Sequence, residues 1–174
     1  MKLILVRHGN TFEADQIPIQ VGARTDLSLT KEGLNQAVRF ASIVKPMNPL
    51  VFSGPLKRHI EMAECIGEFQ IEPALTEIDY GLWEGLTAEE IRLKWPKEHA
   101  DWEQGKWPHA IFGTTEQWHR QLLEKWLQAL PQNQTVVAIT SNGILRLFHN
   151  EKVKTGHYCE LTSNLEVKQW NIKP

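Results

Sequence analysis

The sequence predicts an α/β fold, a three-layer α/β/α sandwich with a mainly parallel sheet that can end in an antiparallel edge hairpin. Three observations predict it. Short apolar runs with strand character alternate with segments whose apolar residues recur at helical spacing. The last two runs, 158–162 and 165–170, alternate in polarity and are separated by Ser163 and Asn164, as in a hairpin. The length of 174 residues and the apolar content of 41% suit a single domain over residues 1–174 with a substantial core.

The first half of the chain predicts two strand–helix units. Apolar runs of four or five residues indicate buried strands, and apolar side chains at every third or fourth position indicate helices. Proline and glycine pairs mark the ends of these elements. The predicted elements are a strand over residues 2–6, a helix over 31–44 capped by Thr30, a strand over 50–53, a helix ending near Gly67, and a short strand over 71–75.

Residues 76–115 are predicted to form loops and short helices over one end of the sheet, and we call this segment the excursion. About forty residues are too few for an independent core. The tryptophans of this excursion form either a lid over a pocket or a small local core, namely Trp95, Trp102 and Trp107. The remaining predicted elements are a helix over 116–130 with Trp118 and Trp126 in the core, a strand over 134–140, a helix from about 141 to 148, and the late hairpin.

Composition narrows the classes of partner. The formal net charge of −2 provides no global basic field for nucleic acid or an anionic membrane surface. No apolar run approaches a membrane span or a secretory signal, so we expect a soluble, cytoplasmic protein without a nucleic-acid or membrane partner. The two cysteines, Cys65 and Cys159, lack metal-ligand spacing and are predicted to be buried thiols, and we expect no metal site and no cofactor.

The strongest local motif is Arg7-His8-Gly9, which directly follows the first predicted strand. Binding crevices of open α/β sheets lie at the carboxyl ends of their strands. A guanidinium there can hold phosphate oxygens through its fork of donors, and a neighbouring imidazole can act as a nucleophile or a base. The triplet therefore predicts a site for anion chemistry.

Three further segments supply partners for this triplet. Arg58 lies just inside the helix that follows the second strand, where a helix N-terminus favours anions. Glu77 lies in a loop with glycines and aromatic residues, and such surroundings favour the protonated carboxyl that a general acid requires. The third strand–helix junction contains Ser141 and Asn142.

Together these ordered motifs resemble the histidine phosphatase superfamily, also called the phosphoglycerate-mutase-like family. The resemblance implies that His8 is the nucleophile that accepts a phosphoryl group and later yields it to water. It implies that Glu77 is the acid that protonates the leaving alcohol. The other residues that it implies are a phosphate clamp of Arg7 and Arg58, a donor from Asn10, and a substrate contact from Tyr80, as in the mutase branch. Trp83, beside the predicted acid, either lines the pocket or only packs in the core.

The chain departs from the family pattern at the third junction. The family has a second histidine there, and counting back from Arg146 places Ser141 at that position. Either Ser141 and Asn142 partly replace the lost phosphate contact, or Ser141 is only a helix cap. Among the other histidines we expect His59 to point away from the site, because it adjoins Arg58 on a helix, and His157 is the least unsuitable replacement. The remaining histidines are expected at the surface: His99, His109, His119 and His149.

The function that the resemblance favours is a phosphomonoesterase acting through a phosphohistidine on a small phosphorylated metabolite, with reduced or altered activity. The segment Gly81–Thr87 is most similar to the small phosphatase branch that includes α-ribazole phosphatases. Two alternatives stay open: an impaired pseudoenzyme that binds phospho-ligands, or a phosphoglycerate-type mutase. The expected ligand is a small phosphorylated metabolite or inorganic phosphate, and the late hairpin can present an edge for a homodimer.

Overall fold

The structure is a computed structural model that describes residues 1–162 and 164–174. Within these residues, six strands form one sheet. Their bounds are Lys2–Arg7 (β1), Leu50–Ser53 (β2), Gln70–Ile71 (β3), Thr135–Thr140 (β4), Tyr158–Leu161 (β5) and Val167–Ile172 (β6). The strand order across the sheet is β3-β2-β4-β1-β5-β6. Strand β1, which carries the Arg-His-Gly motif at its end, therefore lies in the interior of the sheet.

The strand directions confirm the predicted fold class. Strands β1, β2, β3 and β4 run parallel to one another, whereas β5 is antiparallel to β1 and β6 is antiparallel to β5. The predicted edge hairpin is thus present as β5 and β6. Of the two residues predicted to separate its strands, Ser163 lies outside the described residues. A homodimer through this edge stays a prediction.

Along the chain, the helices of the described residues come between successive strands. Their bounds are Lys31–Val44 (α1), Lys57–Glu64 (α2), Ala88–Lys94 (α3), Pro96–Glu103 (α4), Glu116–Ala129 (α5) and Asn142–Leu145 (α6). None of the helices in residues 1–162 and 164–174 combines the length and the apolar character needed to cross a membrane.

Each face of the sheet is covered by its own core. Strand β1 alternates, so that Ile4 and Val6 pack with Phe40 of α1 and Met62 of α2 on one face. Leu3 and Leu5 belong to the core on the opposite face, which includes residues of α5 and of the excursion. Burial of alternate side chains on both faces of a central strand is the arrangement that a three-layer sandwich requires.

The start of α1 packs directly against the loop that follows β1. The hydroxyl of Thr30 accepts a hydrogen bond from the backbone N–H of Gly33 at 3.0 Å, which confirms the predicted N-cap. A Cβ atom on Gly9 would collide with the carbonyl oxygen of Gly33. Glycine at both positions therefore lets the helix hold the loop next to His8 in place.

Two predicted elements are wrong in type or length. The predicted strand over residues 71–75 pairs only at Gln70–Ile71 and continues as a 3₁₀ turn over Pro73–Leu75. Pro73 has no N–H for a ladder, and the Glu72 carboxylate caps the turn by accepting from the N–H of Ala74 at 2.9 Å. The helix predicted to reach residue 148 ends at Leu145, after which i→i+3 bonds tighten the chain into turns.

Some predicted core residues are exposed. Trp126 is buried as predicted, but Trp118 is 48% exposed on the outer side of α5. On α1, Leu34 and Val38 are likewise exposed, although both lie at apolar helical spacing. These helices contact the sheet along one narrow stripe, so apolar residues at its margin remain in water.

The excursion contributes an aromatic cluster to the same core. Trp102, Trp107 and Phe112 pack edge to face, and Phe112 also contacts Tyr80 and Trp83 at ring separations of 5.1 and 5.2 Å. Such T-shaped pairs add stability beyond the area that they bury. The tryptophans of the excursion are therefore packed as a local core, and they are continuous with the core under the sheet.

Candidate active site

The carboxyl ends of three parallel strands meet at one edge of the sheet. Arg7 at the end of β1 is paired in register with Thr140 at the end of β4, and Ser53 at the end of β2 pairs with Ile139. The backbone N–H of His8 donates to the Thr140 carbonyl at 3.0 Å, which continues the pairing beyond the strand. A cavity of about 630 Å³ opens above this edge. Its lining includes Arg7, His8, Asn10, Glu77, Tyr80, Trp83 and Asn142.

The imidazole of His8 is oriented by the residue that follows it. Its Nδ1 lies 2.8 Å from the carbonyl oxygen of Gly9. Because a carbonyl only accepts, Nδ1 carries the hydrogen and Nε2 keeps its lone pair. Burial lowers the pKa of His8 well below its usual range, and the nearby Arg58, His59 and Arg7 lower it further. His8 is therefore a neutral imidazole with an unprotonated Nε2, which is the form that a nucleophile needs.

Both arginines of the predicted phosphate clamp lie at the site, where Arg58 is fully buried and Arg7 is half-buried. The Arg58 guanidinium donates to the backbone carbonyls of Thr25 at 2.8 Å and Gly22 at 3.2 Å, and Arg7 donates to that of Val153 at 2.6 Å. Neutral carbonyls hold the two cations in place without neutralising them. The Nε atom of each arginine has no hydrogen-bond partner among the described residues. Two guanidinium groups that each keep an unused Nε–H donor fit a multiply charged anion.

Asn10 also lines the cavity. Its Oδ1 accepts from Gln36 at 3.3 Å and from the hydroxyl of Thr155. Since the carbonyl end of the amide is engaged in this way, the Nδ2 group is the end that can donate to a ligand.

Glu77 also lines the cavity, and its carboxyl group is buried. Burial raises its pKa from 4.5 to about 7, although Arg58, Arg7 and two backbone N–H groups oppose that shift. These N–H groups belong to Ile78 and Gly143 and lie 2.9 and 3.1 Å from Oε1. A Cβ atom on Gly143 would collide with Oε1, so glycine allows this contact. Near pH 7 the group can release a proton and take one up, as a general acid–base requires.

Ser141 and His59 form a pair that the sequence did not predict. Nε2 of His59 lies 2.7 Å from Oγ of Ser141, and both residues are fully buried. The His59 ring centroid lies 5.6 Å from that of His8. The expectation that His59 points away from the site is therefore wrong. His157 instead bonds the Asn171 carbonyl at 3.1 Å, away from the cavity lining.

The divergence of Arg58 and His59 on α2 is real, but both directions lie within the site. Arg58 extends toward the loop carbonyls of Gly22 and Thr25, whereas His59 extends toward the end of β4. Gly54 makes room for the ring, because a Cβ atom there would collide with Nδ1 of His59. A histidine next to Arg58, together with the glycine at 54, is the sequence signal that could have indicated this position.

No three or more His, Cys, Asp or Glu side chains in residues 1–162 and 164–174 are grouped so that they could hold a metal ion. The chemistry available to the described site is that of an imidazole, two guanidinium groups, a titratable carboxyl and hydroxyl donors.

A family model for the histidine phosphatase superfamily (branch 1) matches residues 3–160. The chain belongs to this superfamily. Phosphoserine phosphatase 1 of Hydrogenobacter thermophilus is 32% identical over 118 residues, which cover 64% of this chain and 54% of that protein. The chain thus aligns with about half the length of this relative.

Solved structures share the fold of this histidine phosphatase superfamily member. A mycobacterial glucosyl-3-phosphoglycerate phosphatase in complex with VO3 superimposes with a TM-score of 0.81 at 20% identity and covers 98% of both chains. A phosphoserine phosphatase from Entamoeba histolytica in complex with 3-phosphoglyceric acid has a TM-score of 0.80 at 24% identity, with coverage of 98% of this chain and 96% of that one. Both comparisons support the phosphoglycerate-mutase-like fold.

The cavity of this superfamily member also includes residues that the sequence did not assign to it. His99, Trp102 and Glu103 of α4 line its outer part, together with Lys152. Nζ of Lys152 lies 2.8 Å from Oε1 of Glu103, so an ion pair forms part of the cavity lining. Of the histidines expected at the surface, His99 thus lines the cavity, and His119 is buried against Thr114.

Proposed function

We propose that the protein is a phosphomonoesterase that hydrolyses a small phosphorylated metabolite through a phosphohistidine at His8. The observation that carries the proposal is the state of the His8 ring. Its Nδ1–H is committed to the Gly9 carbonyl, the ring lines the cavity together with Arg7, and Arg58 is near enough to lower the His8 pKa. Membership of the histidine phosphatase superfamily supports the same reaction.

In the first step, the Nε2 lone pair attacks phosphorus and the bond between phosphorus and the ester oxygen breaks. The Glu77 carboxyl transfers its proton to the departing oxygen, so the product leaves as an alcohol. The negative charge on the phosphoryl oxygens is balanced by Arg7 and Arg58, with a donor from Asn10. This step requires a neutral His8 and a protonated Glu77, and burial favours both states.

In the second step, the Glu77 carboxylate takes a proton from water as the water oxygen attacks the phosphohistidine. The bond between nitrogen and phosphorus breaks, its electron pair returns to Nε2, and inorganic phosphate forms. Glu77 is then protonated again and His8 is neutral, so the site is restored. One water molecule is consumed for each ester hydrolysed.

The proposed substrate is small, because the cavity measures about 630 Å³, the size of a small-molecule site. The names of the relatives point to phosphoserine and phosphoglycerate esters, whereas the sequence resemblance points to α-ribazole phosphate. We propose to measure phosphate release from these three compounds in parallel. A kcat/KM at least tenfold above the others identifies the substrate class.

A second candidate is a phospho-ligand-binding protein with impaired turnover. It is favoured by Ser141, a neutral hydroxyl at the position where the resemblance implies a charged imidazole. A mutase is a third candidate, and it predicts that the phosphoryl group returns to an organic acceptor instead of water. Measurement of inorganic phosphate release separates both from a phosphatase.

The test of the proposed function uses p-nitrophenyl phosphate with the wild type and His8→Ala. We expect turnover by the wild type, a loss of at least about 1,000-fold in His8→Ala, and an acid-labile phosphoryl-enzyme in the wild type alone. Turnover that survives in His8→Ala would exclude the phosphohistidine mechanism. Phosphate binding without turnover in the wild type would favour the binding protein.

A further inference from the structure

One pair of buried polar side chains has no role in the reaction described above. His59 comes from the first turn of α2 and Ser141 from the residue after β4, and 82 positions separate them in sequence. Both are fully buried, and Nε2 and Oγ lie 2.7 Å apart. A buried polar pair of this kind is costly to desolvate, so its position next to His8 calls for a function.

We propose that His59 is a positioning residue for Ser141: Nε2–H of His59 donates to Oγ, and the Ser141 hydroxyl then donates its own hydrogen to the phosphoryl group. Two residues would thereby form one donor at the end of β4. This inference rests on the proposed phosphatase function, because it assigns a further contact to the same phosphoryl group.

Ser141 is fully buried and adjoins residues of the proposed phosphoryl site. Ser141 follows Thr140, whose carbonyl accepts from the backbone N–H of His8 at 3.0 Å. The next residue, Asn142, lines the cavity. The His59 ring lies 5.6 Å from the His8 ring between their centroids, so the pair adjoins the nucleophile.

The direction of the hydrogen bond follows from what each atom can do. Burial lowers the pKa of His59 well below its usual range and the charge of Arg58 lowers it further, so the ring is neutral and carries one hydrogen. If that hydrogen is on Nδ1, Ser141 must donate to Nε2, and a buried N–H next to Gly54 is left without an acceptor. If it is on Nε2, the Ser141 hydrogen is free to point at an anion. A bound phosphate dianion favours the second arrangement, because it stabilises donors that point toward it.

The pair also explains how a short side chain can serve as an oriented donor. A serine hydroxyl rotates about its Cβ–Oγ bond unless a second hydrogen bond fixes it. Among the described residues, His59 is the hydrogen-bond partner of Ser141 Oγ. A fixed donor contributes more to a transition state than one that must reorient during the reaction.

The central experiment is a double-mutant cycle of His59→Leu, Ser141→Ala and the double variant, with p-nitrophenyl phosphate. Leucine fills much of the ring volume without a donor. We expect each single variant to lower kcat roughly 10- to 100-fold with KM changed less than threefold, in the range below that of a full oxyanion donor. The double variant should lose no more than either single variant, because both residues act through one hydroxyl.

A conservative variant and a matched control separate positioning from packing. His59→Gln keeps an N–H donor for Ser141 and should recover at least fivefold of the kcat lost in His59→Leu. The control is His119→Gln, since His119 is another buried imidazole that bonds a hydroxyl, that of Thr114, at 2.8 Å. It is remote from the cavity lining, and its kcat should remain within twofold of the wild type. Thermal unfolding of all variants shows which of them are folded at the assay temperature.

The failure of this inference is distinguishable from failure of the proposed function. If the wild type turns over substrate but His59→Leu and Ser141→Ala retain kcat within twofold, the function stands and the positioning role is wrong. Losses that multiply in the double variant likewise contradict a single shared donor.

If the wild type shows no turnover, the same cycle is read from the affinity for inorganic phosphate by calorimetry. About tenfold weaker binding in each single variant, without further weakening in the double variant, would support the pair as one donor. Unchanged affinity would overturn it.

Discussion

The two titratable groups of the site, on the β1 loop and on the loop that carries Glu77, respond in opposite ways to the same physical cause. His8 is 7% exposed, and Glu77 is 5% exposed. Burial disfavours the charged form of each group, so it lowers the pKa of the imidazole and raises that of the carboxyl. At neutral pH the site therefore holds a neutral imidazole at His8 and a titratable carboxyl at Glu77, the states that the proposed nucleophile and acid require. One desolvated site prepares both reactants.

The positive charges near the site shift the pKa values of His8 and Glu77 unequally. Arg58 and Arg7 lower the pKa of His8 further, in the same direction as burial. They oppose burial at Glu77, so that its pKa stops at about 7. His8 is thus held in one protonation state across the neutral range, whereas Glu77 remains able to change its own. In the proposed mechanism, the group that exchanges a proton twice in each cycle is thus the one that stays titratable.

The test with the largest expected effect removes the proposed acid, Glu77. Glu77→Gln keeps the shape of the side chain but cannot supply a proton. We expect kcat/KM for phosphoserine, whose alkoxide is a poor leaving group, to fall about 100- to 10,000-fold. The loss with p-nitrophenyl phosphate should be at least tenfold smaller, because nitrophenolate leaves without a proton. Equal losses with both esters would show that Glu77 is not the acid.

A smaller effect is expected when an imidazole is added at Ser141, directly after β4. Ser141→His places a ring where Oγ already contacts His59, so the single variant should lose about tenfold or more in kcat and unfold at a lower temperature. Adding His59→Ala makes room for the new ring. The double variant should regain at least half of the unfolding temperature that Ser141→His loses relative to the wild type, and its kcat should exceed that of Ser141→His. A single variant more active than the wild type would contradict the crowding inferred from the structure.

The effect that needs no substitution is the pH dependence of the intact protein. Above pH 7 Glu77 loses its proton, and kcat/KM for phosphoserine should fall about tenfold for each pH unit. Between pH 7 and 6.5 it should approach a plateau, because the lowered pKa of His8 keeps that ring neutral there. Steady-state rates from pH 6.5 to 9 test this, a range in which the substrate phosphate is mainly a dianion. An increase in kcat/KM through pH 8 would contradict the assigned states.

The features that could be predicted from the sequence are those determined by nearby residues. Strand β1, the Thr30 cap of α1 and helix α5 follow from apolar periodicity and local hydrogen bonding. The convergence of Arg7, Arg58 and Glu77 followed from the rule that parallel strands bring their carboxyl ends together and from the family resemblance. Their proposed roles await the experiments above.

The features that were missed depend on contacts between distant parts of the chain. Whether His59 enters the site is decided by its contact with Ser141 and by the space at Gly54, neither of which periodicity encodes. The exposure of Trp118 is similar, since helical spacing specifies a face but not its width. At Pro73 the sequence contains opposing signals. Its apolar neighbours favour a strand, but a residue without an N–H is unsuited to a β-ladder.

The aromatic wall of the cavity gives the protein an optical reporter of its own. The indole rings of Trp83 and Trp102 line the cavity, and the guanidinium of Arg146 lies 3.9 Å from the centre of the Trp102 ring. Indole emission depends on nearby charge and on contact with water. A phosphorylated ligand that enters the cavity changes both, so occupancy can be followed as a change in intrinsic fluorescence without a label or a substrate that turns over.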